Sequence, residues 1–263
     1  MMWNAVVLAG DRNPNDPVAR AGLTPFKAMA PVGARRLIDF PLAALSAMMD
    51  EGRIGRIMVV ATPGMPDPDA GNWDVIEAGE TIADSLARVY AAVGAPLLVT
   101  TCDAAMLTPD ILTEFLNRAE DGQELSAAIT PLSVAEVTPE APPRKGFAFG
   151  EDSFVGANLF AIATTSPEPA FAALERAERR RRLPADALLA ALSWRLRPPT
   201  IEQVEAKAEK LLGCSARLIT LTQPEAGFEV NTALDLMHLR QRWAAFLTSD
   251  EEVDADPDEE EAA

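Results

Sequence analysis

Val6-Val7-Leu8-Ala9-Gly10 decides how this chain is read. An apolar run entering a glycine reads as a buried strand of a parallel sheet, beginning at Ala5. Residues 11–33 then read as an irregular loop that carries Arg12, Arg20, Gly22 and Lys27 before Pro31-Val32-Gly33. A strand that ends in a glycine and a basic loop can offer backbone N–H groups and cationic side chains to a polyphosphate. The N-terminus is therefore a candidate nucleotide site.

Outward from that strand, short apolar runs alternate with helical spacing. A helix over 37–49, then Gly52 and Gly55, then a strand over 57–61 complete one βαβ unit. Prolines, glycines and aspartates make 62–72 a surface loop. A helix is expected over 80–93, a strongly apolar strand over 96–101, and a helix capped by Thr108 with Pro109 at its first position. Residues 126–131 are extended, 139–145 form a connector, and 154–163 are a strand pair or a strand with a turn at Gly156-Ala157-Asn158. Helices follow over 167–182, 184–195 and 201–212, the last closed by Gly213, then a strand over 217–221. Phe228-Glu229-Val230 is a short strand before a final helix over 233–247. This alternation predicts an α/β protein, a three-layer α/β/α sandwich with a mostly parallel sheet.

At 263 residues, 48% hydrophobic and 24% charged, the chain has the composition of one globular domain, expected over 1–248. No apolar run is long enough for a membrane span, and a strand this close to Met1 leaves no room for a cleavable leader, so a cytoplasmic protein is expected. Cys102 and Cys214 lie far apart and in no C-x-x-C, which suggests neither a disulfide framework nor zinc. His238 is the one histidine, so a histidine relay is not expected. Of the formal charge of −17, nine acids with no base fall in residues 249–263, a block expected to be a disordered solubilising tail. An acidic chain of this kind does not suit nucleic-acid binding.

Two further signals carry chemistry. Leu97-Leu98-Val99-Thr100-Thr101-Cys102-Asp103 delivers a carboxylate at the C-terminal end of a strand, where ligands of open α/β sheets bind. Asp103 there either holds Mg²⁺ for a bound phosphate or caps the following turn. In Phe228-Glu229-Val230-Asn231-Thr232-Ala233-Leu234-Asp235-Leu236, Asn231 or Thr232 reads as an N-cap with Asp235 completing a capping box.

In conjunction, these motifs resemble the nucleotidyltransferases of the GT-A-type fold, and most closely the MobA-like (molybdenum-cofactor guanylyltransferase-like) NTP transferases. The family's L-A-G-G start, later R-x-G and lysine, strand-end aspartate and closing N-T-x-x-D-L are matched by Leu8-Ala9-Gly10, by Arg20, Gly22 and Lys27, by Asp103, and by Asn231-Thr232 with Asp235-Leu236. The resemblance implies transfer of a nucleoside monophosphate from an NTP, with Leu8, Ala9 and Gly10 contacting base and ribose. It also implies Lys27 on the α-phosphate, Arg12 or Arg20 towards the leaving pyrophosphate, and Asp103 and Asn231 sharing a Mg²⁺. Gly79, Thr81 and Ser85 would line the base pocket, and Gly156 and Asn158 the acceptor site. One departure is Asp11, where the family has its second glycine: it either repels the triphosphate or helps hold a second metal.

A phosphorylated acceptor is mostly dianionic near neutrality, since its second pKa is about 6, and needs no general base. A nucleotide-sugar glycosyltransferase is a first alternative, although Asp103-Ala104-Ala105 offers one acid where that class usually has two. A nucleotide-binding domain without turnover is a second. The run Arg179-Arg180-Arg181-Arg182 reads as a solvated helix end, with a place beside the acceptor pocket, gripping an anionic substrate or a membrane surface, as the sharper reading.

Overall fold

The structure is a computed structural model that describes residues 1–10, 13, 15–68, 71–135, 144, 146–180 and 198–253, without the side chains of 180 and 248–253. Strand β1 (Trp3–Ala9) lies inside a sheet with order β10-β7-β9-β6-β1-β4-β5. Its neighbours β4 (Ile54–Ala61) and β6 (Leu97–Thr101) run parallel to it, as does edge strand β5 (Trp73–Glu77) to β4. Strand β9 (Asp152–Ile162) runs antiparallel between β6 and β7 (Leu125–Pro131), and β10 (Ala216–Thr220) is parallel to β7.

Alternation along β1 makes the three layers. Val7 packs with Leu45, Met48, Ile111 and Phe115 from α2 (Asp39–Asp50) and α4 (Pro109–Ala119) on one face. Val6 packs with Leu86 and Val89 of α3 (Ile82–Val93) on the other, where α6 (Glu168–Arg180) also lies. Residues of β1 are buried on both sides, which is why its sequence is continuously apolar rather than alternating.

A third apolar cluster joins chain segments that are remote in sequence. Val18, Ala30, Val32, Leu37 and Phe40 from the N-terminal stretch meet Ala105, just after β6, and Phe228, Val230, Leu236 and Leu239 from the C-terminal stretch. Each large apolar side chain buried there contributes about 1.5–3 kcal/mol. That holds α1 (Pro17–Ala21), a helix too short to be stable alone.

The stretch 11–33, expected to be irregular, thus contains α1 and a 3-10 turn over Lys27–Met29 and enters a small hairpin of β2 (Pro31–Val32) and β3 (Arg35–Arg36). Asp16 caps α1, its carboxylate accepting from the N–H groups of Val18 and Ala19, and Pro17 occupies the first position. Gly22 follows because a Cβ there would lie 2.9 Å from the Ala30 Cβ. Arg240 on α8 (Ala233–Val253) donates to the Pro31 carbonyl at 2.9 Å and fixes the hairpin.

Other differences are local. Edge strand β5 lacks an apolar run because one side of it faces solvent, and β8 (Phe147–Phe149), though apolar, has only three residues. A four-residue helix, α5 (Leu132–Ala135), follows β7, and α7 (Ile201–Leu212) carries a Thr200/Gln203 capping box and ends at Gly213 as expected. Residues 228–230 sit outside any strand, and α8 continues past 247 to Val253, into the acidic stretch. The expected helix over 184–195, most of the connector, Asp11, Arg12, Arg181, Arg182 and residues 254–263 lie outside the described residues. Among the described residues no helix is long and apolar enough to cross a membrane.

Candidate active site

The third cluster brings together the three polar residues that its segments carry. Lys27 Nζ contacts Asp103 Oδ2 and donates to Asn231 Oδ1 at 3.0 Å. The Lys27 and Asp103 side chains are only 11% and 13% exposed, so little water screens the pair. Burial is the largest influence on the Lys27 ammonium and works against it, but Asp103, Cys102 and Asp16 together outweigh it, and the lysine pKa lies above its ordinary value.

Asp103 is held from several sides. Thr101 Oγ1, two residues earlier, donates to its Oδ1, and Asn158 Nδ2 donates to the same oxygen at 3.1 Å. The backbone of β9 explains how Asn158 gets there. Opposite Ala127 and Ile129 of β7 stand Phe160 and Gly156, so β9 carries extra residues against Ala128, and Asn158 adopts φ 48°. This is a bulge, which re-aims a side chain, and asparagine tolerates the left-handed conformation better than most residues. The turn expected at 156–158 is this bulge within one strand.

At the third corner, the capping reading of the Asn-Thr motif holds. Asp235 accepts from the N–H groups of Asn231 and Thr232 at 3.0 and 2.8 Å, and its own N–H donates to Thr232 Oγ1 at 3.1 Å. That capping leaves the Asn231 side chain for the site. The segment is laid on the Asp103 turn by the Val230 N–H, which donates to the Asp103 carbonyl at 3.1 Å. Asn231 Nδ2 donates to Glu229 Oε2 at 2.8 Å. Burial, and then the like charge of Asp103, push the Glu229 carboxyl pKa up, against Asn231, Arg144 and Lys27. Arg144 donates to the Glu229 carbonyl at 3.2 Å and stacks over the Phe228 ring, 4.6 Å from its centroid.

A cleft of about 580 Å³ opens from this cluster along the ends of the parallel strands, lined among others by Leu8, Gly10, Lys27, Gly79, Ser85 and Asp103. Ser85 Oγ accepts from the Gly79 N–H at 2.9 Å and donates to the Thr81 carbonyl at 3.0 Å, so it shapes the loop before α3. Thr81 is the N-cap of α3 and Ala9 is buried beneath the cleft; neither is among the lining residues. Arg20 is exposed on α1 and does not line the cleft. A second, mostly apolar cavity of similar volume shares Leu8 and Thr101 with the first and reaches Asn158 and Phe160. Gly156 lies by Glu229: a Cβ built there would be 3.8 Å from Glu229 Oε1. Arg179 pairs with Glu175 one turn back at 2.6 Å.

Glu229, Arg144 and Thr101 are the site residues that the sequence reading missed. A signal existed for two of them. Each stands two residues before a motif residue, near enough for its side chain to reach it: Thr101 before Asp103 and Glu229 before Asn231. Arg144 lies in the connector, where no pattern marks it.

The donors suit a hard divalent cation. A carboxylate and an amide oxygen converge where the Lys27 ammonium already sits as a positive charge. Among the described residues no three His, Cys, Asp or Glu side chains form a metal set. Mg²⁺ is usually bound in this sparse way, by one or two protein oxygens with phosphates and water completing the shell.

Comparison with known families decides the identity. The family model described as the MobA-like NTP transferase domain matches residues 5–193. The chain belongs to the MobA-like NTP transferase family. This MobA-like protein is accordingly a nucleotidyltransferase. No curated protein matches it. Among solved structures it is similar to a hypothetical transferase from Thermus thermophilus, with 26% identity, a TM-score of 0.72, and coverage of 90% of this chain and 100% of that one. It shares its fold with 2-C-methyl-D-erythritol 4-phosphate cytidylyltransferase from Thermus thermophilus at 17% identity and TM-score 0.54, covering 92% and 98%. The CMP:2-keto-3-deoxy-manno-octonic acid synthetase complexed with CTP matches at 16% and 0.53, covering 94% and 100%.

Proposed function

We propose that the MobA-like protein transfers a nucleoside monophosphate from an NTP to a small phosphorylated acceptor in the cytoplasm and releases pyrophosphate. A phosphate oxygen of the acceptor attacks the α-phosphorus, the bond to the bridging oxygen of the β-phosphate breaks, and pyrophosphate leaves with that electron pair. The observation that carries this reading is the meeting of Lys27, Asp103 and Asn231 beside the cleft that Lys27 and Asp103 line.

In this reading the cleft takes the nucleotide. The backbone of Leu8, Ala9 and Gly10 faces base and ribose, Gly79 and Ser85 line the base pocket, and Lys27 neutralises the α-phosphate. A Mg²⁺ held by Asp103 and Asn231 would supply further charge neutralisation at the phosphates. The acceptor enters on the β9 side, past Gly156 and Asn158. Because the nucleophile is already anionic, alignment and charge stabilisation suffice. A glycosyltransferase reading fits less well: Ala105, where a second acid would stand, is buried in the third apolar cluster.

Pyrophosphate release with a panel of NTPs, Mg²⁺ and phosphorylated sugars and alcohols tests the proposal. Release should require both substrates and fall about 10³-fold in Lys27→Ala and in Asp103→Ala, with both variants melting cooperatively. Wild-type rates in both would show that the chemistry lies elsewhere.

A further inference from the structure

Asn231 can serve a cation only through one of its two amide ends. Oδ1 attracts a positive charge and the Nδ2 hydrogens repel it, yet the two ends have nearly the same shape, so packing alone does not choose between them. The backbone does not choose either: the Asn231 N–H is pinned on Asp235, but rotation about the side-chain amide remains. Two partners make the choice together. Lys27 Nζ donates to Oδ1 at 3.0 Å, and Glu229 Oε2 takes the Nδ2 donor at 2.8 Å, so that Oδ1 stays on the side of Lys27 and Asp103 even where an ion takes the place of the ammonium.

We propose that Glu229 is the positioning residue for Asn231, setting the amide so that its oxygen faces the point where the ion is held. The inference rests on the reading of Asp103 and Asn231 as ion ligands. Two features make Glu229 suited to the task. It lies only two residues before Asn231, and its carboxylate reaches the Asn231 amide directly, at 2.8 Å. Its carbonyl is tied to Arg144, and the next residue, Val230, is tied to the Asp103 carbonyl, so the segment that carries it is fixed relative to the aspartate. Outer hydrogen-bond partners of this kind orient metal ligands, and losing them commonly weakens metal affinity about 10–100-fold.

The test is a titration of the full chain with Mn²⁺ alone, followed by water-proton relaxation, in the wild type, Glu229→Gln, Glu229→Leu, Asn231→Ala and the Leu/Ala double variant. The carbonyl of glutamine accepts the same hydrogen bond, so Glu229→Gln should bind within about threefold of the wild type. Glu229→Leu should weaken binding about 10-fold, and should add nothing further in the Asn231→Ala background, because the group it positions is already gone. Glu229→Ala, smaller and without overpacking, replaces Glu229→Leu if that variant does not melt as the wild type does. Unchanged Mn²⁺ affinity in Glu229→Leu overturns the inference. So does a Gln variant as weak as the Leu variant, or losses that add in the double variant. If wild type and Asn231→Ala bind Mn²⁺ equally, the ion reading itself fails, and this inference fails with it.

Discussion

The two halves of the sheet build the two sides of this site by different means. From β5 to β6 the strands run parallel and end together, so the cleft receives strand ends and loop backbone, Leu8 and Gly10 at the end of β1 and Gly79 after β5. From β6 to β10 the sheet is mixed, and antiparallel β9 offers a bulge that aims a single side chain, Asn158, at Asp103. A parallel edge recognises a ligand chiefly through main-chain groups, which many sequences supply equally well. A bulge commits one residue type to one direction. The cleft side should therefore tolerate side-chain changes that the β9 side does not.

The sharpest way to break this comparison is Asn158→Leu. The variant loses the hydrogen bond to Asp103 and places a bulkier residue at φ 48°, at a cost of about 1–2 kcal/mol in backbone strain alone. We expect kcat/KM for the acceptor to fall about 10²-fold while NTP affinity, by calorimetry, stays within about threefold. Asn158→Gly separates the causes, since it accepts the backbone but lacks the amide: recovery of the rate would assign the effect to strain. An equal loss of NTP affinity would erase the distinction between the halves.

A smaller effect sharpens the account at the corner they share. Because burial and Asp103 raise the Glu229 pKa above its unfolded value, its favourable contribution is fully present below the ordinary carboxyl range. It is lost as pH rises through the raised value. Glu229→Gln removes that titration. Its Tm should therefore match the wild type near about pH 4 and exceed it by a few degrees near about pH 8, as read by calorimetry. A variant less stable than wild type at the higher pH would mean that Lys27 and Arg144 more than offset the burial of the charge.

The parallel half was legible in the sequence because both faces of its strands are buried, and continuous apolar runs such as Val6-Val7-Leu8 or Leu97-Leu98-Val99 mark such strands. Capping residues were legible too: Thr108 with Pro109, and Gly213, act locally. Strand β5 was not, because an edge strand with one wet face carries no such run. Nor was α1, although Asp16-Pro17 is a cap-and-start signal, because five residues are too few to show periodicity. Of the site, the residues named by the short motifs could be read, and Lys27, Asp103 and Asn231 do meet. Why they meet could not be read. The cause is a cluster of apolar contacts between residues as distant as Val18, Ala105 and Leu236, which no local pattern encodes. Arg20 shows the converse: a motif match that the structure leaves exposed on α1, outside the residues lining the cleft.

The central claim is that Asp103 and Asn231 hold one divalent ion against the phosphates of a nucleotide in the cleft. The most direct measurement is the thermal shift produced by an NTP with and without Mg²⁺ in the wild type, Asp103→Ala and Asn231→Ala. A ligand that binds only the folded state stabilises it by about 2.7 kcal/mol at a hundred times its Kd. The account predicts a rise in Tm of several degrees that needs both NTP and Mg²⁺ in the wild type and is lost in each variant. A shift of the same size in Asp103→Ala or Asn231→Ala, or one indifferent to Mg²⁺, would contradict it.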